Sequence, residues 1–234
     1  MSDNLLSVKQ LSKTYRRGDH EVSVLTNINL ELDAGDYVSL MGPSGSGKTT
    51  LLNIVGGIDG PSSGSVVVAG TDIADLDDNG LAAWRTANVG FVFQQYNLLP
   101  VLTAVENVEL PLLLFEMAKE ERRRRALAAL EVVGLQHRAH HYPRQLSGGE
   151  EQRTAVARAF VTDPKLIIAD EPTGNLDAAA AGNILDLLDT LNREFHKTIL
   201  MVTHDSGAAA RAKRLVRLNK GELLHEPHTE GRPQ

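Results

Sequence analysis

The chain of 234 residues contains no cysteine and no excess of basic residues. Without cysteine it can form neither a disulfide framework nor a thiolate metal site. Its 24 Lys and Arg residues are outnumbered by 30 Asp and Glu residues, which gives a formal net charge of −6. Proteins that bind duplex nucleic acid normally carry a basic excess. The charge balance therefore argues against nucleic acid as a partner.

A long apolar run is also missing. The longest aliphatic stretch, residues 110–115, includes a proline and is far shorter than the roughly 20 residues that span a bilayer. Residues 1–4 contain neither a basic run nor an apolar segment, so no secretory signal peptide is expected. We expect a soluble, cytoplasmic protein with no membrane span of its own.

The remaining composition is that of a globular protein, with 42% apolar and 23% charged residues. Alternating and β-branched residues predict strands separated by turns through the first ninety residues. These strands are expected at 22–32, Tyr37–Met41, 65–69 and Val89–Phe93.

The middle of the chain changes to a helical pattern. Thr103 and Glu106 have the spacing of a capping box, which predicts a helix start. Residues 117–133 contain neither Gly nor Pro and are followed by Gly134, which predicts a long helix that ends there.

Buried strands are expected again at 166–169 and 199–202, with an amphipathic helix between them and a hairpin at 215–224. Apolar strands that alternate with helices predict a mainly parallel sheet covered on both faces. The last ten residues are polar and are expected to be loosely ordered.

The strongest motif matches G-x-x-x-x-G-K-[ST] between the strand Tyr37–Met41 and a predicted helix at Lys48–Val55. Glycines let backbone N–H groups converge on phosphate oxygens, and the helix N-terminus adds positive potential. Lys48 would neutralise the β- and γ-phosphates, and the Thr49 hydroxyl would ligate Mg²⁺. The residues predicted to bind a nucleoside triphosphate here are Gly42, Pro43, Ser44, Gly45, Ser46, Gly47, Lys48, Thr49 and Thr50.

A second motif is the apolar strand that ends in Asp170 and Glu171. Parallel sheets bind ligands at the carboxyl ends of their strands. Asp170 would therefore hold Mg²⁺, and Glu171 would polarise an attacking water as a general base.

A third motif runs from Leu146 through Ser147, two glycines and Glu150. Ser147 and Glu150 have the spacing of a capping box at a helix start, and the glycines leave N–H groups free there, which makes a second anion site. Because the chain has only one glycine-loop site, the second site is expected to complete the nucleotide site of another copy.

This motif resembles the signature sequence of ATP-binding cassette (ABC) ATPases, in which Gln is common at the position of Glu150. The resemblance covers nearly the whole chain. It implies an α/β fold with a P-loop NTPase core, an N-terminal antiparallel β subdomain and an inserted α-helical subdomain. The single cassette at 1–234 would have its core at about 1–94 and 161–234 and its helical subdomain at about 95–160.

The same resemblance implies roles for further residues. Tyr15 matches the aromatic that stacks on adenine, and Gln94 matches the glutamine that reaches Mg²⁺ and the water. His204 matches the histidine that contacts the γ-phosphate. Asp177 lies in a loop that would cross the dimer interface beside Ser147, Gly149 and Glu150.

The implied activity is Mg²⁺-dependent ATP hydrolysis, with Glu171, His204, Lys48 and Gln94 as catalytic residues and Thr49, Gln94 and Asp170 at the metal.

The amino-acid sequences around Gln94 and around Asp177 resemble those of the lipoprotein-release, macrolide-efflux and cell-division branch of this family. That branch implies a separate transmembrane permease subunit and a location on the cytoplasmic face of the inner membrane. Two alternatives stay open: a nucleotide-gated regulatory scaffold for a membrane partner, and a soluble ABC ATPase with no transport role.

Two other clusters are interpreted as solvated surface. His137, His140 and His141 have no carboxylate in the same stretch that would favour zinc. Four consecutive arginines at 122–125 follow Glu120 and Glu121 and fit an exposed helix face.

Overall fold

The computed structural model describes residues 4–18 and 20–224, so the last ten residues, expected to be loosely ordered, lie outside the described part. Two β-sheets organise that part. Its strands are β1 (Asn4–Arg17), β2 (His20–Asp33), β3 (Tyr37–Met41), β4 (Ser63–Val68), β5 (Thr71–Asp72), β6 (Val89–Phe93), β7 (Leu166–Asp170), β8 (Thr198–Val202), β9 (Arg214–Asn219) and β10 (Glu222–Leu224).

The first sheet is antiparallel, with the strand order β2-β1-β4-β5. The second has the order β10-β9-β3-β8-β7-β6, and its strands are parallel except for the hairpin pair β9 and β10. The predicted mainly parallel sheet and N-terminal antiparallel sheet are therefore confirmed.

Seven α-helices accompany the sheets in the described residues. They are α1 (Lys48–Val55), α2 (Asp78–Asn88), α3 (Ala104–Glu109), α4 (Lys119–Val132), α5 (Gly148–Phe160), α6 (Ala178–Arg193) and α7 (Ser206–Ala209). Short 3₁₀ turns occupy Ile73–Asp75, Leu110–Leu114, Gln136–Arg138 and Pro143–Gln145.

The parallel sheet separates two hydrophobic clusters. Along β7, Ile167 and Ala169 pack into one cluster with α3, α4, α5 and α6, whereas Leu166 and Ile168 pack into the other with α1 and the antiparallel sheet. Because successive side chains of a strand point to opposite faces, a fully apolar strand must be covered on both sides. The carboxyl ends of β3, β6, β7 and β8 are thereby held at a common edge.

The sequence patterns placed most elements correctly, and their local signals explain the exceptions. The strand expected at 65–69 is β4, which stops one residue earlier because Ala69 adopts a φ of 52°. The long helix begins at Lys119 rather than at residue 117, and Gly134 with a φ of 71° follows it. The first ninety residues are not only strands, because α2 lies among them with Asp77 as its N-cap.

Between β6 and β7 the chain forms only helices and turns. Thr103 and Glu106 form the predicted capping box at the start of α3. The Glu106 carboxylate accepts hydrogen bonds from Thr103 N at 2.8 Å and from Thr103 Oγ1 at 2.6 Å. A separate helical subdomain at about 95–160 stays a prediction.

Candidate functional site

The glycine loop connects β3 to α1 and borders a cavity of about 680 Å³. Gly45 and Gly47 have φ values of 75° and 101°, in the region that favours glycine. A Cβ on Gly47 would lie 2.8 Å from Leu25 Cδ2, and one on Gly42 would lie 2.1 Å from the Leu218 carbonyl oxygen. Close packing and backbone conformation therefore both require glycine in this loop.

Most residues predicted to bind the triphosphate meet at this cavity. Its lining residues are Val24, Gly42, Pro43, Ser44, Gly45, Gly47, Lys48, Thr49, Thr50, Asp170, Glu171, Val202 and His204. The predicted residue Ser46 is buried, and its N–H donates to the Pro43 carbonyl at 3.2 Å. The residues from β7 and β8 reach the glycine loop because β8 lies beside β3, β7 lies beside β8, and the three parallel strands end at the same edge.

The Lys48 ammonium is folded back over the loop. It donates to the carbonyl oxygens of Gly42 at 2.8 Å and Pro43 at 3.0 Å. These two acceptors are neutral carbonyls, so they do not neutralise the Lys48 charge. The loop therefore presents a positive charge and free α1 N–H groups to the same cavity, an arrangement suited to a polyanion.

Asp170 lies at the end of β7, where Thr49 Oγ1 donates to its Oδ2 at 3.3 Å. Burial raises the pKa of this carboxyl group, and the adjacent Glu171 charge raises it further, against the hydrogen bond from Thr49 and the charge of Lys48. The carboxylate is therefore held in a place that disfavours its negative charge. A cation bound here would reverse that penalty.

Glu171 is held in an uncommon backbone conformation, with a φ of 48°. Its N–H donates to the Val202 carbonyl oxygen at 2.9 Å, which fixes the turn after β7 to the end of β8. Its Oε1 lies 2.9 Å from His204 Nδ1. The carboxylate is mostly buried, with 16% of its side chain exposed, whereas His204 is 74% exposed.

Gln94 follows β6 and contacts the loop after β7 rather than the phosphate cavity. Its Nε2 donates to Asn175 Oδ1 at 3.2 Å, and Asn175 Nδ2 donates back to the Gln94 carbonyl at 3.1 Å. A Cβ on Gly174 would lie 2.9 Å from Gln94 Nε2. The three residues thus form a close-packed link between two strand ends.

The start of α5 carries the second predicted anion site. Ser147 is the N-cap: its Oγ accepts from Glu150 N at 3.3 Å, and Ser147 N donates to Glu150 Oε2 at 2.8 Å. Arg138 Nε donates to Glu150 Oε1 at 3.1 Å. The hydrogen bond from Ser147 N–H chiefly holds the Glu150 pKa below its usual value, and Arg138 lowers it further against the effect of burial.

This helix end borders a separate cavity of about 410 Å³, whose lining includes Ser147, Gly149, Arg153 and Asp177. Arg153 Nε is buried and has no hydrogen-bond partner among the residues that the structure describes. Asp177 caps α6 by accepting from Ala180 N at 2.8 Å. The two cavities share no lining residue, so one chain does not bring the second anion site to the glycine loop.

Tyr15 does not line the glycine-loop cavity. It lies on β1 with 41% of its surface exposed, and its hydroxyl donates to Asp59 Oδ2 at 2.6 Å.

Sequence reasoning missed two polar residues on α5. Gln152 is buried, and its Nε2 donates to the carbonyls of Phe93 at 3.1 Å and Pro172 at 2.5 Å. Arg158 donates to the carbonyls of Tyr96 at 2.9 Å and Asn97 at 2.6 Å. The signal that could have revealed Gln152 is its polarity four residues before the buried Val156, on the apolar side of the helix.

Both clusters interpreted as solvated surface include exposed side chains. His137 and His140 are exposed, and the described residues contain no group of three or more His, Cys, Asp or Glu side chains that could hold a metal ion. In the arginine run, Arg124 and Arg125 pair with Glu121, and Arg123 pairs with Glu109.

None of the helices in the described residues is long and apolar enough to cross a membrane.

Comparison with known proteins connects these features. Residues 25–174 match the family model described as ABC transporter. An uncharacterized ABC transporter ATP-binding protein of Methanocaldococcus jannaschii, MJ0796, is 47% identical over 231 residues, which cover 97% of this chain and 98% of that protein. A dimeric structure of the MJ0796 cassette in a post-hydrolysis state, bound to ADP and Pi, matches with a TM-score of 0.88 and 45% identity over 97% of this chain and 100% of that one.

Two further relatives belong to the predicted branch. The lipoprotein-releasing system ATP-binding protein LolD of Chromohalobacter salexigens is 46% identical over 95% of this chain and 94% of its own length. The macrolide export ATP-binding/permease protein MacB of Sodalis glossinidius is 44% identical over 100% of this chain but only 36% of its own length. With its P-loop NTPase fold and these relatives, the chain belongs to the ABC transporter family, as an ATP-binding and ATP-hydrolysing cassette.

Proposed function

We propose that two copies of this chain enclose two ATP molecules, each between the glycine loop of one copy and the α5 start of the other. The observation that carries the proposal is the separation of the two anion-binding helix ends, which border different cavities of one chain. Ser147, Gly149, Glu150 and Asp177 would then act on the nucleotide of the second copy. Arg153, with its unpartnered buried Nε, adds positive charge to that surface.

Within one copy, the glycine loop binds the triphosphate. Lys48 exchanges its two carbonyl partners for phosphate oxygens, a stronger charge-assisted interaction. The free N–H groups at the start of α1 and the N–H groups of Ser44, Gly45 and Gly47 complete the phosphate cradle. Tyr15 stacks on the adenine base.

Thr49 and Asp170 are the residues that would hold Mg²⁺. Their oxygens lie 3.3 Å apart at the phosphate cavity, and Mg²⁺ prefers hard oxygen ligands. A site with one carboxylate suits Mg²⁺, which takes its remaining ligands from phosphate and water, and Gln94 would approach it once freed from Asn175. The ion would neutralise charge on the phosphates.

Glu171 acts as the general base toward the attacking water. Its position after β7 places the carboxylate at the cavity, and His204 Nδ1 at 2.9 Å from Oε1 orients it. His204 would also reach the γ-phosphate, because its exposed ring lines the same cavity. Hydrolysis would then open the two-copy assembly.

We further propose that this movement drives a separate transmembrane permease subunit on the cytoplasmic face of the inner membrane. The similarity to the macrolide export protein MacB and the lipoprotein-releasing system protein LolD supports export or lipoprotein release as the coupled process. The permease would contact the proposed helical subdomain at 95–160, beside Gln94. Exposed aliphatic side chains that suit such a contact are Leu99, Val101, Leu113 and Leu114.

The test uses Glu171→Gln, which keeps the shape of the side chain but removes the base. This variant should bind ATP, lose turnover and elute as a dimer with ATP, measured by light scattering after gel filtration. Adding Ser147→Arg to it should keep ATP bound in a monomer. Ser63→Arg, at an exposed serine of β4, is the matched control and should leave the dimer intact. An ATP-bound monomer for Glu171→Gln would contradict the composite site.

A further inference from the structure

Three residues distant in sequence meet around the Tyr15 ring. Asp59 accepts the Tyr15 hydroxyl at Oδ2, 2.6 Å away, and the Lys13 ammonium at Oδ1, 2.7 Å away. Lys13 Nζ also lies over the Tyr15 ring, 4.8 Å from its centroid. The phenol is therefore fixed at its hydroxyl, and one ring face is covered by a cation.

The carboxylate of Asp59 is itself held firmly. Burial alone would raise its pKa, but hydrogen bonds from Lys13, Tyr15 and the Gly60 N–H bring it below the usual value. Only 12% of the Lys13 side chain and 31% of the Asp59 side chain are exposed. Lys13 Nζ donates in addition to the Gly60 carbonyl at 2.7 Å. The ion pair is thus a shielded, multiply bonded contact, unlike an exposed surface pair.

Asp59 is also joined to the helix that follows the glycine loop. Its N–H donates to the Asn53 carbonyl in α1 at 3.2 Å. One turn nearer the start of α1, the Thr50 side chain lowers the pKa of the Tyr15 phenol, against the rise that the Asp59 hydrogen bond chiefly causes. Tyr15 and Asp59 are therefore connected to the phosphate-binding helix at two residues one turn apart.

We propose that Asp59, held by Lys13, is a positioning residue that sets the Tyr15 ring for the nucleotide base. This inference rests on the adenine role proposed for Tyr15. With its hydroxyl fixed and Lys13 over one face, the ring offers its other face to the base at a set distance from the glycine loop. Asp59 contacts neither phosphate nor base; it acts through Tyr15.

This role predicts that substitutions of Asp59 weaken the base contribution and spare the phosphate contribution. Asp59→Ala should weaken ATP binding about three- to tenfold, the scale of the net contribution of one typical hydrogen bond. The affinity for inorganic tripolyphosphate, which has no base, should not change. Lys13→Met should have a smaller effect in the same direction.

The experiment measures ATP and tripolyphosphate binding by calorimetry for the full chain. Tyr15→Ala should weaken ATP binding about 5- to 150-fold through lost stacking. Tyr15→Phe keeps the ring but cannot donate to Asp59, so adding Asp59→Ala to Tyr15→Phe should cause little further loss. Asp75→Asn, at an exposed carboxylate, controls for the change in net charge, and thermal unfolding checks each fold.

The possible results separate the two proposals. Unchanged ATP affinity in Tyr15→Ala would reject the adenine role of Tyr15 and the inference with it. Weakened binding in Tyr15→Ala but not in Asp59→Ala would overturn the inference alone. Equal losses of ATP and tripolyphosphate affinity in Asp59→Ala, or additive losses with Tyr15→Phe, would also overturn it, because Asp59 would then support α1 rather than the ring.

Discussion

Replacement of Asp170 by Asn should make the nucleotide-free protein more stable. Burial and the neighbouring Glu171 charge raise the pKa of the Asp170 carboxyl group. A raised carboxyl pKa means that the folded chain disfavours the ionised form, so the charge at neutral pH lowers the free energy of unfolding. Asn has nearly the same shape and keeps an oxygen for the Thr49 hydroxyl, 3.3 Å away in the wild type.

The gain should be about 1 kcal/mol, the usual scale for relieving an unfavourable active-site group. For a chain of this length, that corresponds to a rise of roughly 2–4 °C in Tm. The assay is calorimetric unfolding with a chelator and without nucleotide, with Asp75→Asn as the exposed control. The stability difference should shrink as pH falls, because protonation removes the Asp170 charge from the wild type as well.

Mg·ATP should reverse the order of stability. A ligand at about 100 times its Kd adds about 2.7 kcal/mol to the free energy of unfolding, and Asp170→Asn loses much of this gain if Asp170 holds the metal. A variant that melts at or below the wild-type temperature without nucleotide would refute the reasoning. It would mean that Thr49 and Lys48 fully compensate the buried charge.

Two further predictions concern the glycine loop and the N-terminal cap of α3. Gly47→Ala should lower the free energy of unfolding by about 1–3 kcal/mol and abolish ATP binding. The reason is that the new Cβ would lie 2.8 Å from Leu25 Cδ2 and 2.9 Å from the Val24 carbonyl oxygen. A variant with wild-type Tm and affinity would contradict this prediction. Hydrogen bonds from the Thr103 hydroxyl and N–H lower the Glu106 pKa, so their stabilisation is present above the unfolded pKa of about 4.3 and is lost as pH falls through the lower folded value. Glu106→Gln should therefore reduce the loss of Tm on acidification, and an unchanged pH profile would count against the cap.

The parts of the structure that could be predicted are those that local patterns of residue types indicate. The run at 166–169 is typical of a strand buried on both faces, and Ser147 with Glu150 has the spacing typical of a capped helix start. By contrast, α2 has Trp84 as its one buried residue, so it carries no apolar stripe. In β1, Gln10 adopts a φ of 49° and the pairing with β2 shifts register, which interrupts the alternation that reveals a strand.

The site divides in the same way. The glycine loop and the acidic strand end could be assigned because each motif has its own chemistry. The contact between Tyr15 and Asp59 spans 44 residues, and nothing in either local sequence indicates it. The same holds for Arg158, whose partners are backbone carbonyls 61 and 62 residues away. Such contacts depend on how the sheet places loops beside α5 and α1.

The hydrogen bonds of Gln152 have a mechanical consequence. One amide group donates to the carbonyls of Phe93 and Pro172, so it connects α5 both to the last residue of β6 and to the loop that follows β7. A small slide of the helix would break both bonds inside the protein, where lost hydrogen bonds are costly. Closely packed interfaces move between discrete arrangements rather than continuously. The α5 helix, the end of β6 and the loop after β7 should therefore move together as one rigid unit or remain in place.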